Sequence, residues 1–263
     1  MKILLTNDDG IHAPGLCALF EALAPRHTLF VVAPDGERSA VGHAITLSDP
    51  LRVREVRRKR PAGGSERFGW AVSGTPADCV KLALLELLET PVDLVVSGIN
   101  QGANTGINVL YSGTVSAATE AAILGVKAVA LSLDSPCVPD FCLASLVAER
   151  IVDWAAKTHF PQGTAINVNI PAIPLQHIKG VRLTRQGTGR HQERFEKRKD
   201  PRGNVYYWQT GSVSSAMEDP SIDRCALAQG YITVTPIHAD LTDYQILGRS
   251  TIAGIESIDI WGP

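Results

Sequence analysis

Residues 2–36 read KILLTNDDGIHAPGLCALFEALAPRHTLFVVAPDG, and this stretch decides the fold. Lys2 to Thr6 form a short apolar run that stops at the polar turn Asn7-Asp8-Asp9-Gly10, the pattern of a buried strand. Gly15 to Ala24 read as a helix, with Pro14 near its first turn. Thr28 to Ala33 form a second apolar run, stopped by Pro34-Asp35-Gly36. Strand, helix and strand in that order imply parallel pairing through a right-handed crossover.

Outward from this unit the pattern repeats. Residues 70–73 suggest a short strand. Thr75 then has the character of an N-cap, with Pro76 at the first helical position and Asp78 two residues on, and the predicted helix runs through Leu82, Leu85 and Leu88 to Glu89. Asp93 to Ser97 is a buried strand, residues 115–124 a small-residue helix, and Val126 to Ser132 another strand. A helix over about 143–157 and a strand over 165–170 complete the alternation. This order predicts an α/β fold, a parallel sheet with helices on both faces. After residue 170 the texture changes. Pro171 and Pro174 break the pattern, residues 185–202 are basic and polar, and Val205 to Trp208, Tyr231 to Thr235 and Ile252 to Ile260 look like strands. The expected division is a catalytic core over residues 1–180 and a β-rich hairpin extension over 181–263, an arm for packing on another subunit, whose last strands have the option of returning to the core.

A chain of 263 residues with 44% hydrophobic and 20% charged residues has material for a large core. Its net charge of −2, from 25 basic and 27 acidic residues, provides no global field for nucleic acid or a membrane surface. Cys17, Cys79, Cys137, Cys142 and Cys225 are odd in number and none has C-x-x-C spacing, which argues for reduced thiols in a cytoplasmic protein. The first apolar run is too short for a secretory signal, and none approaches membrane-spanning length.

In open α/β sheets ligands bind beyond the carboxyl ends of the strands. Asp8 and Asp9 lie there, side by side, and repel unless a cation neutralises them; a hard divalent cation prefers oxygen ligands of this kind. A solvated turn or helix cap is the plainer alternative. Ser39 follows the second strand at the same edge. Ser97-Gly98-Ile99-Asn100-Gln101-Gly102-Ala103-Asn104 is a long polar, glycine-bearing segment after a buried strand. There the Asn100 carbonyl is a candidate metal ligand and Asn104 a candidate donor to phosphate or nucleoside. Tyr111-Ser112-Gly113-Thr114 opens a helix, and its N–H groups with the Ser112 and Thr114 hydroxyls suit an anion, or else Thr114 is simply the N-cap. The chain has no P-loop and no G-x-S-x-G elbow, and its carboxylates are adjacent rather than D-x-D.

At this point the chain resembles the SurE (survival protein E) family of metal-dependent 5′-nucleotidases. The likeness runs in order through Leu4 to Gly10, Ala13-Pro14-Gly15, Val32 to Asp35, Arg38-Ser39, Ser73 to Asp78 and Ser97 to Asn100. It continues through Gly102, Asn104, Tyr111 to Val115, Asp200 to Gly203, Tyr206 to Trp208 and Asp240 to Thr242. The resemblance implies a Rossmann-like core with a C-terminal extension used in assembly to a dimer or tetramer. It implies one divalent cation per subunit, Mg²⁺ or Mn²⁺, on Asp8, Asp9, Ser39 and Asn100, and a substrate phosphate near Ser112, Gly113 and Thr114. Substrates would be nucleoside 5′-monophosphates, often 3′-monophosphates, and in some members short polyphosphate, cleaved by water with Asp8 or Asp9 as proton acceptor. Two departures stand out: Ala40-Val41-Gly42-His43-Ala44 after Ser39, and Ile222-Asp223 where Thr-Asp is expected.

The basic run Arg57 to Arg60 is expected in a solvated loop. Arg185, Arg190, Arg194, Lys197, Arg198 and Lys199 are candidates for recruiting anionic substrates. Two other functions compete. A non-catalytic nucleotide sensor has no need of paired carboxylates, and a phosphatase of other monoesters is separated only by the resemblance.

Overall fold

The computed structural model describes residues 1–59, 63–135, 140–188, 192–212 and 219–247. Arg60, Cys137, Arg190 and the strand expected over Ile252 to Ile260 lie outside the described residues. The elements in chain order are β1 (Lys2–Thr6), α1 (Pro14–Leu23), β2 (Thr28–Pro34), β3 (Val53–Lys59), β4 (Ser65–Val72) and α2 (Pro76–Leu82). Then come β5 (Leu94–Gln101), α3 (Gly113–Ile123), β6 (Ala128–Asp134), α4 (Cys142–Lys157), β7 (Thr164–Pro171) and β8 (Val181–Leu183). β9 (Gln192–Lys199), β10 (Val205–Ser212), α5 (Asp223–Ala228), β11 (Ile232–His238) and α6 (Tyr244–Leu247) follow.

Among the described residues nine strands form one sheet in the order β3-β4-β2-β1-β5-β6-β7-β11-β8. The run β4-β2-β1-β5-β6-β7 is parallel throughout. Counted in chain order within this run, the strands stand 3-2-1-4-5-6, the doubly wound arrangement whose strand order reverses between β1 and β5. β11 adds antiparallel to β7, and β8 pairs parallel with β11, so residues 181–183 and 232–238 are strands of the main sheet. β9 and β10 form a separate antiparallel hairpin.

Alternation along the strands divides the core between two faces. Ile3 and Leu5 pack with Leu16, Leu19 and Leu23 of α1 and with Val147 and Ile151 of α4. Leu4 and Val95 point the other way, onto Val80 of α2 and Val115 and Ala118 of α3. Ala117, Ala118, Ala121 and Ala122 are all buried, and their small side chains let α3 lie close to the sheet and to α2. The N-terminus of α2 is fixed as the sequence predicts: Thr75 Oγ1 accepts from Asp78 N–H at 3.1 Å, and the Asp78 carboxylate accepts from Thr75 N–H at 2.9 Å.

Three local expectations change. Arg57 to Lys59 are not in a loop. They end β3, an edge strand that pairs antiparallel with β4, and β4 is longer than the four residues expected. Charge hides the strand, because only Val56 of its seven residues is buried, and charged side chains are common on edges. The helix beginning at Pro76 does not continue regularly to Glu89. It widens into a π-helical turn at Ala83–Leu87, closed by Leu88 N–H on Ala83 O at 3.1 Å, and the added residue turns Leu85 out to 59% exposure. The polar stretch 192–199 is the first strand of the hairpin.

The end of β5 matters most for the site. The β5–β6 register shifts between Ser97 and Asn100. Gly98 occupies this shift with φ +137°, and a Cβ there would lie 2.3 Å from Leu131 O on β6. Only glycine fits the position, and the shift re-aims the strand end so that Asn100 reaches the cleft beyond the sheet. Gly98→Ala is expected to lose about 1–3 kcal/mol of stability, roughly 2–4 °C in Tm for each kcal/mol. An unchanged melting temperature in thermal unfolding would contradict this packing.

Candidate active site

Beyond the carboxyl ends of β1 and β5, where the strand order reverses, lies a cavity of about 940 Å³. Its walls include Asp8, Asp9, Ser39, Asn100, Asn104 and Ser112, six of the eight residues singled out from the sequence. Gly113 and Thr114 are not in the wall. They stand behind Asp8 and act on it.

Asp8 is buried, and its Oδ1 accepts a hydrogen bond from the Thr114 hydroxyl. Burial raises the Asp8 pKa above the usual carboxylate range, while the Thr114 hydroxyl and the backbone N–H groups of Thr114 and Gly113 pull it back down. The first anion met by the N-terminus of α3 is therefore a carboxylate of the protein itself. Thr114 is not the cap of this helix. Ser112 is, accepting from Val115 N–H at 3.1 Å, and its own hydroxyl hydrogen remains free to turn toward the cavity. The close approach explains Gly113, where a Cβ would lie 2.7 Å from Asp8 Cβ and 3.0 Å from Asp8 Oδ2.

Asp9 is half-buried beside Asp8. Burial, then the Asp8 charge, then that of Glu37 push its pKa up to about 6, against a lowering by the Gln101 backbone N–H. Two hydrogen bonds tie the loops after β1 and β2 together and bring Ser39 to the site. Arg38 N–H donates to Asp8 O at 2.7 Å, and Ile11 N–H to Pro34 O at 2.9 Å. Ser39 Oγ donates to Glu37 Oε1 at 2.8 Å, which leaves its lone pairs unused by that bond. Asn100 Nδ2 donates to Gly102 O at 2.8 Å, fixing the amide so that Oδ1 remains as acceptor.

This donor set is all oxygen, with two carboxylates, a carboxamide and a hydroxyl, and it suits a hard divalent cation. Among the described residues no group of three or more His, Cys, Asp or Glu forms a metal cluster, so the neutral oxygens are essential to the fit. At the adjoining ends of β1 and β5, the buried Oγ1 of Thr6, Oδ1 of Asn7 and Oγ of Ser97 have no hydrogen-bond partner among the described residues. Such groups normally find water or an ion.

In the same wall, Asn104 is held by buried polar groups. Its N–H donates to Asn169 Oδ1 at 2.7 Å, its carbonyl accepts from Asn167 and Asn169, and its Nδ2 donates to Ser132 Oγ at 2.8 Å. The second amide hydrogen and Oδ1 remain for a ligand. His43 does not reach the cavity wall. It meets Glu120 at 2.8 Å on α3, and Lys81 meets the other oxygen of that carboxylate at 2.6 Å.

The wall also contains residues that the sequence reading did not select, among them Glu37, Gln101, Asn108, Tyr111, Ser135 and Gln209. Glu37 had a usable signal, an acidic side chain two positions before Ser39 in a strand-end loop. Tyr111 directly precedes Ser112, but the sequence pattern gives its ring no chemistry of its own. Gln209 had no signal, because nothing local marks a residue of β10 as facing a cleft built from residues far earlier in the chain.

The family model described as "Survival protein SurE" matches residues 3–193. A "5′-nucleotidase SurE" of Syntrophobacter fumaroxidans is 52% identical over 94% of this chain and 97% of its own length. One of Syntrophus aciditrophicus is 51% identical over 94% and 91%. The crystal structure of a SurE protein from Aquifex aeolicus superposes with TM-score 0.80 at 39% identity, covering 94% of this chain and 97% of the other. The chain belongs to the SurE family.

Crowding of Asp9 has a consequence for stability. A carboxyl whose pKa rises from 3.8 to about 6 on folding makes the folded state bind more protons between those values, so this group destabilises the fold progressively as pH rises from about 4 through 6. Asp9→Asn is therefore expected to raise the Tm of metal-stripped protein above pH 6, by roughly 2–4 °C per kcal/mol relieved, with the gain fading toward pH 4. Differential scanning calorimetry across that range checks it; a gain independent of pH would contradict the charge argument.

Proposed function

We propose that the chain is a divalent-metal-dependent 5′-nucleotidase, hydrolysing nucleoside 5′-monophosphates to nucleoside and phosphate. The observation that carries this reading is that Asp8, Asp9, Ser39 and Asn100 line one cavity large enough for a nucleotide, together with Asn104 and Ser112. The names of the relatives agree with it.

In this reading Asp8, Asp9, Ser39 and Asn100 would hold one Mg²⁺ or Mn²⁺ per subunit. When bound, such an ion neutralises charge on phosphoryl oxygens and acidifies water. The Ser112 hydroxyl and the Asn104 amide hold the non-bridging oxygens of the phosphate. Thr114 and Gly113 act through Asp8, fixing its carboxylate. Asp9, with the freer carboxylate, accepts the proton of the attacking water. The water oxygen forms a new bond to phosphorus, the ester P–O bond breaks, and the proton passes to the departing nucleoside oxygen. No covalent bond to the protein forms.

Self-association to a dimer or tetramer is part of the proposal. It is supported by Tyr206 and Trp208, which share one face of the hairpin and are 39% and 57% exposed. A cytoplasmic setting is supported by the free thiols of Cys17, Cys79, Cys142 and Cys225. No helix among the described residues is long and apolar enough to cross a membrane.

Phosphate release from AMP is expected with Mg²⁺ or Mn²⁺ and lost on complete chelation, and Asp9→Asn is expected to lower kcat by about 100-fold or more. Turnover that survives metal removal, or near-normal turnover of the variant, would overturn the reading.

A further inference from the structure

The hairpin is more than an appendage, because one of its side chains reaches the cavity. Gln209 of β10 lines the same cavity as Asp8 and Asp9. The register pairs Gln209 with Phe195 and Tyr207 with Lys197, so Gln209, Tyr207 and Phe195 share the hairpin face that meets the cavity, and Tyr206 and Trp208 project from the opposite face. Phe195, paired with Gln209 across the hairpin, is 66% exposed.

The root of the hairpin is tied to the cavity wall. The fully buried carboxylate of Asp223 accepts from Gly106 N–H at 2.8 Å and from Gly187 N–H at 3.1 Å. Gln186 Nε2 adds a bond to Gly106 O at 2.9 Å. Gly106 opens the 3₁₀ turn Gly106–Leu110, which carries Asn108 of the cavity wall, and Gly187 leads toward β9. One carboxylate therefore fixes the chain before the hairpin against the turn that lines the cavity.

We propose that Gln209 reads the hydrogen-bonding edge of the substrate's base, making the hairpin the specificity element of the site. This rests on the nucleotidase reading above. With phosphate held by Asn104 and Ser112, the remainder of a nucleotide occupies the rest of the cavity, and Gln209 is the hairpin residue in its wall. A carboxamide both donates and accepts, and the Watson–Crick edge of every nucleobase offers at least one acceptor and one donor. Gln209 thus favours substrates that carry a base over those that lack one, without choosing sharply among bases.

The test compares kcat/KM for AMP, GMP, UMP and ribose 5-phosphate in the wild type, Gln209→Leu and Gln209→Glu, with saturating Mg²⁺. The wild type is expected to prefer all three nucleotides to ribose 5-phosphate. Gln209→Leu should reduce each nucleotide-to-ribose-5-phosphate ratio about threefold to tenfold, the size of one neutral hydrogen bond, mainly through KM. Gln209→Glu, an acceptor only, should raise the GMP-to-UMP ratio, because guanine offers two adjacent donors and uracil one N–H between two carbonyls. Ratios unmoved in both variants, an equal loss on all four substrates, or a wild type that cleaves ribose 5-phosphate as well as the nucleotides would overturn the inference while leaving nucleotide hydrolysis standing. A wild type that cleaves no nucleotide at all would defeat the nucleotidase reading, and this inference with it.

Discussion

The site depends on a buried carboxylate. Asp8 sits at the end of the central strand with its oxygens turned into the N-terminus of α3, where the Thr114 hydroxyl and two backbone N–H groups meet it. Burial alone disfavours its charge, and the helix end only partly compensates. Asp9 and Glu37 crowd further negative charge into the same space. A protein that concentrates acidic oxygens in this way stores an electrostatic cost that a divalent cation relieves. Gly113 gives way to Asp8 by lacking a Cβ, Ser112 caps the helix without occupying its first N–H groups, and the loop after β2 folds back onto the Asp8 carbonyl.

The fold creates the convergence and then uses the far part of the chain to finish the cavity. Reversal of strand order between β1 and β5 opens the space, and the register shift at Gly98 places Asn100 in it. The asparagines of β7 pin Asn104 from below. Asp223 connects the turn at Gly106 to Gly187, so one buried hydrogen-bonded carboxylate joins the turn that carries Asn108 to the chain before the hairpin.

The parallel core was legible because its signals are local. Apolar runs ending in polar turns mark β1, β2 and β5, and Thr75-Pro76-Ala77-Asp78 marks a helix start by its capping chemistry alone. The placement of Asp8, Asp9, Ser39 and Asn100 at strand ends followed from the alternation. β3 was hidden because an edge strand facing water shows charge rather than alternation, and the π-turn after Leu82 because periodicity counts assume 3.6 residues per turn. The Thr114–Asp8 contact was hidden for a related reason. A helix N-terminus announces an affinity for anions, but only the packing of α3 against β1 shows that the anion it meets is Asp8. Gln209 was invisible because its relation to the cavity exists only after the hairpin is placed.

The central claim is that the oxygens of Asp8, Asp9, Ser39 and Asn100 surround one divalent cation. Anomalous diffraction from crystals equilibrated with Mn²⁺ tests it most directly. The account predicts a single manganese peak per chain, coordinated by carboxylate oxygens of Asp8 and Asp9 with Asn100 Oδ1 and Ser39 Oγ. A manganese peak bound elsewhere, or no peak in this cavity at saturating Mn²⁺, would contradict it.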